Sequence, residues 1–543
     1  RDIGFDSVVF SFGRKDSGQL KALCNMNLRP YDYGLGYVAG NPAHKGDHAY
    51  FGTDLVREPC LSDPERWRKV REAALPHLDA DLYYGVFEYQ LTDEFYLGAN
   101  FCFSPHCLRD FRDWLKQRYP SLAALNEEWV TQFAAWDQVK PLSVYEVGDS
   151  IMSWVDHRMF MNTVFANWVK RNKDIVRERN PNARMGLSGT GNPDTSYNWW
   201  ELMKHVDFLA SYGGIQEELI ASFARGGYRV AGWTGGYAPA HVFAEKYERS
   251  APWAQLFGGS NAYFFFHGSS EGTSLMGDLT FNRNTETAAE EVREIKSGVA
   301  KMLLSAQRVH DGIAVHYSQN SLFVCDAILG GQFWLKSLDS WKYLLDDLGL
   351  GFRFVSYEQL EAQPLDPSKY KVFILPLSVS LSKKEIATLL RFAQEGGVVI
   401  ADYAPGLCDE HGKPVANSDL LEIFGVKRER NETRMQGCEM KVRGDADQRL
   451  GERRLLVRYG EEGLTLTTGK AFADSGNPQA PAVIVNRFGK GQGILMNCVV
   501  GDYAHVKLGG EGGETTHIGR GDPAITTPVR ELVSDLLAGC GVT

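Results

Sequence analysis

Over roughly residues 1 to 310, short apolar runs alternate with longer amphipathic, charged stretches, the pattern that parallel strands joined by helices produce. The runs Ser7–Phe12, Leu20–Asn25, Leu82–Tyr89, Arg184–Ser188, Val206–Tyr212, Arg229–Trp233 and Ala262–His267 read as strands. Cys107–Arg118, Ser121–Trp129, Phe160–Arg179 and Trp199–Lys204 read as helices. A TIM (β/α)8 barrel of ~250 residues fits this alternation, but it needs eight strands where the pattern supplies seven. The expectation is that the first strand precedes Arg1, in a longer natural protein.

The second half has a different texture. Ile313–His316, Lys371–Leu375 and Val398–Asp402 read as buried strands, and the intervening segments carry helices at Ser337–Leu348 and Lys383–Glu395. That pattern predicts a doubly wound α/β domain. After Val426 come short strands at Arg454–Tyr459, Leu464–Thr467 and Ala482–Asn486, a hairpin over Arg487–Leu495, and a last helix at Thr527–Ala538. The amphipathic stretch Glu286–Leu304 closes the first half, so the expected domains are 1–310 and 311–543. Ten of the twelve Trp lie before residue 310, which sets the halves apart in composition as well as in pattern.

Composition narrows the partners. Among the 543 residues, 58 Lys+Arg against 68 Asp+Glu give 58 − 68 = −10, which disfavours nucleic acid or an anionic membrane. The 43% hydrophobic and 23% charged content is that of a globular chain, and no apolar run approaches the ~20 residues of a membrane helix. Nine cysteines, an odd number, leave the redox compartment open. With neither an initiator Met nor an apolar leader, a soluble cytoplasmic, periplasmic or secreted setting all fit.

The chemistry begins at Tyr84–Glu94, an apolar strand that runs out into the adjacent carboxylates Asp93 and Glu94. Barrel enzymes place their chemistry at such strand ends. Burial among Phe87, Phe95 and Tyr96 would raise the pKa of Glu94 and suit it to donate a proton. The alternative is a helix-capping Asp with a solvated Glu beside it.

The run from Asp93 to Trp129, with Cys102-Phe-Ser104-Pro-His106-Cys107 and then FRDWLKQRYPSLAALNEEW, resembles the family 42 glycoside hydrolases, the barrel β-galactosidases. The resemblance implies Glu94 as acid/base, with Asp93 standing where the family has an Asn that binds the sugar 2-hydroxyl. It implies an exo-acting hydrolase of β-linked sugars. Where the family places its nucleophilic Glu, this chain has Thr234, next to Trp233, and a Thr hydroxyl without a neighbouring base is a poor nucleophile toward an anomeric carbon. A second carboxylate would then come from another loop: Glu271, Asp194 or the pair Glu217 and Glu218, an arrangement that suits inversion. Each has a plainer alternative, Asp194 as a turn residue, Glu271 as a hydroxyl ligand and Glu218 as a helix start.

Trp199, Trp200, Trp233, Tyr212 and Tyr237 offer faces on which pyranose rings stack, and His267 could hydrogen-bond a hydroxyl. The alternative for the aromatic residues is packing. No cofactor is required for the chemistry, but Cys60, Cys102, His106 and Cys107 match the family's structural zinc cluster, with Ser104 in place of its middle Cys; the alternative is a site without metal that keeps free thiols or one disulfide. Residues 312–540 resemble the family's trimerisation domain, an amidotransferase-like (flavodoxin-like) fold, and imply a homotrimer. At its nucleophile turn this chain has Leu377-Ser378-Val379, which argues against glutamine hydrolysis. The partner implied is an oligosaccharide or polysaccharide. Two rival readings stand beside hydrolysis of a neutral β-glycoside: a catalytically silent sugar-binding barrel, suggested by Thr234, and a hydrolase of charged or sulfated polysaccharide, suggested by Arg225, Arg229 and Lys246.

Overall fold

The computed structural model describes residues 4–11, 17–33, 55–57, 60–93, 97, 102–148, 150–188, 197–210, 214–225, 230–234, 242–266, 280–330, 333–429, 437–476, 480–500, 503–504 and 522–542. The chain separates into two compact units, one of Arg1–Leu122, Ala134–Val144 and His157–Arg308, the other of Ala123–Phe133, Tyr145–Asp156 and Val309–Thr543.

In the first unit β1 (Ser7–Ser11), β2 (Arg29–Tyr33), β3 (Glu88–Asp93), β4 (Arg184–Ser188) and β5 (Phe208–Ala210) form an all-parallel sheet in chain order. β6 (Val230–Thr234) pairs in parallel with β7 (Ala262–Phe266). Parallel neighbours need crossover helices, and α1 (Ser17–Asn25), α2 (Pro64–Tyr83), α3 (Pro105–Lys116), α4 (Met152–Arg177) and α5 (Ile215–Phe223) lie between successive strands. The helix starts are written locally. In α2 the Asp63 side chain accepts from Glu65 N and Pro64 opens the first turn; in α3 the Ser104 side chain accepts from Cys107 N and Pro105 opens it. Cys107, Phe111, Trp114 and Leu115 then form the buried stripe of α3 at spacings of four, three and one.

Two expected strands are displaced. Leu20–Asn25 is helical, because Leu20 and Leu23 repeat at helical rather than alternating spacing, and among the described side chains of this helix only Leu20 is buried. The strand follows it, as Arg29–Tyr33, where Pro30 and Asp32 hid it. The run Leu82–Tyr89 is likewise split: α2 continues through Tyr83, Gly85 turns the chain at a φ of 71°, and the strand starts only at Glu88. Seven strands are thus present among the described residues of this unit.

The second unit is built on a nine-stranded mixed sheet. Its parallel part contains β8 (Ile313–Tyr317), β9 (Phe352–Ser356), β10 (Val372–Leu375), β11 (Val398–Ala401) and β18 (Gly491–Leu495), ordered β9-β8-β10-β11-β18. β12 (Val426–Arg428) and β15 (Leu464–Leu466) make a separate antiparallel pair. β13 (Cys438–Val442), β14 (Arg453–Val457), β16 (Lys470–Ser475) and β17 (Ala480–Phe488) extend the large sheet antiparallel beyond β18. The expected hairpin is the β17/β18 pair, with Phe488 opposite Gly491. Helices α6 (Phe333–Asp347), α7 (Lys383–Glu395) and α8 (Pro523–Gly539) flank the strands in sequence. Every residue of β8, β10 and β11 is buried, as strands covered on both faces must be. A core of Phe373, Leu375, Leu389, Phe392, Val399, Ile423, Phe424 and Ile484 packs against them.

Candidate active site and a thiol cluster

The carboxyl ends of the barrel-unit strands line up. Asp93 pairs with Ser188, Ser188 with Ala210, and Thr234 with Phe266. Between Gln90 and Asp93 the register against β4 shifts, so β3 carries one extra residue just before its end. Beneath that bulge a buried hydrogen-bond chain crosses three strands: Tyr31 Oη donates to Gln90 Oε1 at 2.5 Å, and Gln90 Nε2 donates to Ser188 Oγ. A satisfied polar chain inside the wall fixes side-chain orientation under the strand ends.

Against that edge the sequence candidates fall into three groups. Asp93, Trp233 and Thr234 are placed by backbone alone, at the ends of β3 and β6. Glu94, Asp194, Tyr212, His267 and Glu271 lie outside the described residues. Trp199 and Glu218 are placed in full, and both are corrected. Trp199 is 1% exposed, with Tyr197 against it at 5.4 Å between ring centroids, so it has no free face for a sugar. Glu218 is 7% exposed and holds Arg308 through both carboxylate oxygens, Nη1–Oε2 at 3.0 Å and Nη2–Oε1 at 2.5 Å. That bidentate pair makes Glu218 a structural anchor.

Three buried acids were missed. Asp32 on β2 sits opposite Tyr89 of β3, and burial, then the nearby Asp81, pushes its carboxyl well above the usual range. Burial raises Asp81, near the end of α2, to about 7, and Glu248 to about 9. Perturbed acids cluster at functional sites and in structural cores alike. Glu248 lies at helical spacing with the buried Ala251 and Gln255, on the inward face of its helix.

Cys60, Cys102 and Cys107 converge, their sulfur atoms all within 4.8 Å of one another in the interior of the first unit. Cys60 and Cys107 are 3.4 Å apart, and Ser104 Oγ donates to Cys60 Sγ at 2.9 Å. Hydrogen bonds from Cys107, then Cys60, pull the Cys102 thiol far down, while the same contacts push Cys107 up, so the cluster favours one thiolate. Buried guanidinium groups surround it: Arg57 within electrostatic reach of all three sulfurs, Arg66 of Cys60 and Arg158 of Cys102. His106, expected as a ligand, is not in the group; its side chain is 42% exposed and its Nε2 lies 3.9 Å from Asp63 Oδ1. Structural zinc takes four Cys or His ligands. The described residues offer three and a serine hydroxyl, and do not fit a closed zinc site.

In the second unit the turn after β10 carries Leu377 at a φ of 39°, a strained value for this residue. Next to it Ser378 Oγ is 2.9 Å from His316 Nδ1, and His316 Nε2 is 3.0 Å from Glu385 Oε1. The three residues have the order of an acyl-transfer triad. All are fully buried, so the hydroxyl meets no substrate and the chain of bonds serves as a brace.

A parallel, chain-ordered strand wall with Asp93 at its carboxyl edge, followed by a mixed sheet with buried parallel strands, is the arrangement of a barrel unit with an additional α/β domain. Residues 69–217 match a family model described as beta-galactosidase, and residues 339–513 one described as beta-galactosidase trimerisation domain. A beta-galactosidase of Geobacillus kaustophilus is 23% identical over 453 residues, covering 75% of this chain and 64% of that protein. The chain thus spans less than two thirds of that relative's length. Among solved structures, the beta-galactosidase of Bacillus circulans sp. alkalophilus superposes with a TM-score of 0.74 at 16% identity, covering 100% of this chain and 85% of that one. The beta-galactosidase of Rahnella sp. R3 gives 0.75 at 17%, with the same coverage. The fold of the first unit is therefore that of a TIM barrel, and over residues 69–217 and 339–513 the chain is similar to the beta-galactosidases of glycoside hydrolase family 42. Among the described residues no helix is long and apolar enough to cross a membrane.

Proposed function

We propose that this chain is a glycoside hydrolase acting exo on β-linked sugars, β-galactosides first among them, with Glu94 as general acid/base. The observation that carries the reading is the position of Asp93 at the carboxyl end of β3, opposite Ser188, inside the stretch that matches the beta-galactosidase model. Glu94 is the next residue in the chain. In the proposed reaction Glu94 gives its proton to the departing glycosidic oxygen as the anomeric carbon–oxygen bond breaks. A second carboxylate takes a proton from the water that attacks the anomeric carbon from the opposite face. Thr234 at the end of β6 supports that inverting course, since a hydroxyl does not replace a carboxylate nucleophile. With Glu218 tied to Arg308, the candidates for the second carboxylate are Glu271, Asp194 and Glu217.

For the second unit, the order β9-β8-β10-β11-β18 reads 2-1-3-4-5 in sequence order, which supports an amidotransferase-like, flavodoxin-like domain. The match to the trimerisation model supports a homotrimer. A 180 kDa-class particle by sedimentation, about three chains of 60.6 kDa, tests the assembly; a monomer at micromolar concentration refutes it.

Hydrolysis of aryl β-galactosides by wild type and Glu94→Gln tests the catalytic reading. The amide keeps the shape and removes the proton, so turnover should fall about 10²- to 10⁴-fold while sugar binding survives. Near wild-type turnover by the variant removes Glu94 from the mechanism, and sugar binding by wild type without any turnover would leave a silent binding barrel.

A further inference from the structure

We infer that Ser104 decides metal occupancy at the thiol cluster: as a hydroxyl engaged in capping α3, it leaves Cys60, Cys102 and Cys107 a zinc-poor site, and a thiol in its place would close a four-ligand zinc centre.

The geometry of the three sulfurs suits a metal. Two thiolates bound to one zinc at about 2.3 Å stand about 3.8 Å apart at tetrahedral angles, and the three here lie within 4.8 Å of one another, with one pair at 3.4 Å. The fourth corner is the exception. Ser104 Oγ touches the cluster, donating to Cys60 Sγ at 2.9 Å. The same oxygen accepts the Cys107 N–H at 3.1 Å as the helix cap. A neutral hydroxyl is not among the ligands that hold structural zinc, and here its proton and a lone pair are both in use. His106 cannot substitute without rebuilding the helix start. Consecutive helical residues diverge by about 100°, so with Cys107 facing the interior His106 turns outward, where its Nε2 lies 3.9 Å from Asp63.

What a zinc ion would supply, positive charge against thiolate, the chain already provides. Arg57, Arg66 and Arg158 are all buried around the sulfurs, and buried cations and anions pair to offset desolvation. Serine at 104 is compatible with this arrangement because it caps α3 and donates to the Cys60 sulfur at once. Cysteine there would add a fourth thiolate at the same corner, each thiol releasing its proton as it binds zinc.

The test measures metal rather than catalysis. Full-length wild type, Ser104→Cys and His106→Ala are purified with equal zinc supply and dialysed, zinc per chain is measured by plasma mass spectrometry, and melting temperature is read with and without EDTA. Wild type should retain far less than one zinc per chain and melt at the same temperature with chelator. Ser104→Cys should retain about one zinc, bind it on the order of a hundredfold more tightly or better, and lose melting temperature when chelated. One chelator-sensitive zinc per wild-type chain overturns the inference, and its loss in His106→Ala would assign the fourth corner to the imidazole. If Ser104→Cys does not fold, the zinc content and chelator response of wild type still decide.

Discussion

Asp402 follows β11 and receives four hydrogen bonds without meeting solvent. Its Oδ1 accepts from Leu377 N at 2.7 Å and Tyr403 N at 2.6 Å, and its Oδ2 from Ser337 Oγ at 2.9 Å and Trp341 Nε1 at 3.2 Å. One carboxyl thereby ties the strained turn after β10 to α6. Burial raises its pKa from 3.8 to about 6, against the lowering effect of the four donors. The sign follows from linkage: a carboxyl raised on folding contributes stability below its unfolded pKa, and that contribution is lost as pH rises through about 6. With values of 3.8 and about 6, the loss between pH 4.5 and 7.5 is about 2 kcal/mol. Asp402→Asn has no such titration, so its stability relative to wild type should improve by about 2 kcal/mol over that interval. Asp402→Ala strands four buried donors and should cost about 3 to 5 kcal/mol at pH 4.5, and about 2 kcal/mol less at pH 7.5. Hydrogen exchange of the Val372–Leu375 amides reads the stability of this unit without requiring the whole chain to unfold together. An Asn-minus-wild-type difference that is flat, or that moves the other way with pH, refutes the reasoning.

Arg428 and Glu461 form a buried bidentate pair, with Arg428 Nη2 also donating to Pro405 O at 3.3 Å; Arg428→Met should cost about 3 to 5 kcal/mol by urea denaturation, and Arg428→Met with Glu461→Leu should recover much of it. His411 Nδ1 meets Asp156 Oδ1 at 2.8 Å; burial opposes its charge, but Asp156, Glu410 and Asp409 outweigh burial and raise it to about 9. His411→Asn should therefore destabilise most below pH 6.5, with the difference fading as pH rises through about 9, and a pH-independent difference between the two melting curves would count against this pair. At Gly186 an added Cβ would lie 2.4 Å from both the ring and the carbonyl oxygen of Phe208, so Gly186→Ala should lower the melting temperature of the barrel unit, and an unchanged melt would refute the close packing of β4 on β5.

Local signals alone determined several features here. Short apolar runs and helical spacing picked out β1, β4, β10, β11 and α7, and the Asp-Pro and Ser-Pro helix starts at 63 and 104 are readable letter by letter, because caps and such patterns act over a few residues. The adjacent carboxylates at the end of β3 and the spacing of Cys102 and Cys107 were visible for the same reason. Position in space was not. Cys60 joins the other two thiols across 47 residues of chain through packing of the interior, a partnership that the family resemblance implied and the local pattern did not, and the turn of α3 that brings Cys107 inward carries His106 out. Glu218 looked like a free acid on a helix start until Arg308, 90 residues on, closed over it. Trp199 read as a platform because aromatic character does not tell a free face from a covered one. The strand at Arg29–Tyr33 was hidden by Pro30 and Asp32, residues that intrinsic preference disfavours in a strand and that this sheet accommodates by pairing β2 with β1 and β3. Contacts between distant residues select among local possibilities, and a linear pattern carries no information about which distant residue arrives.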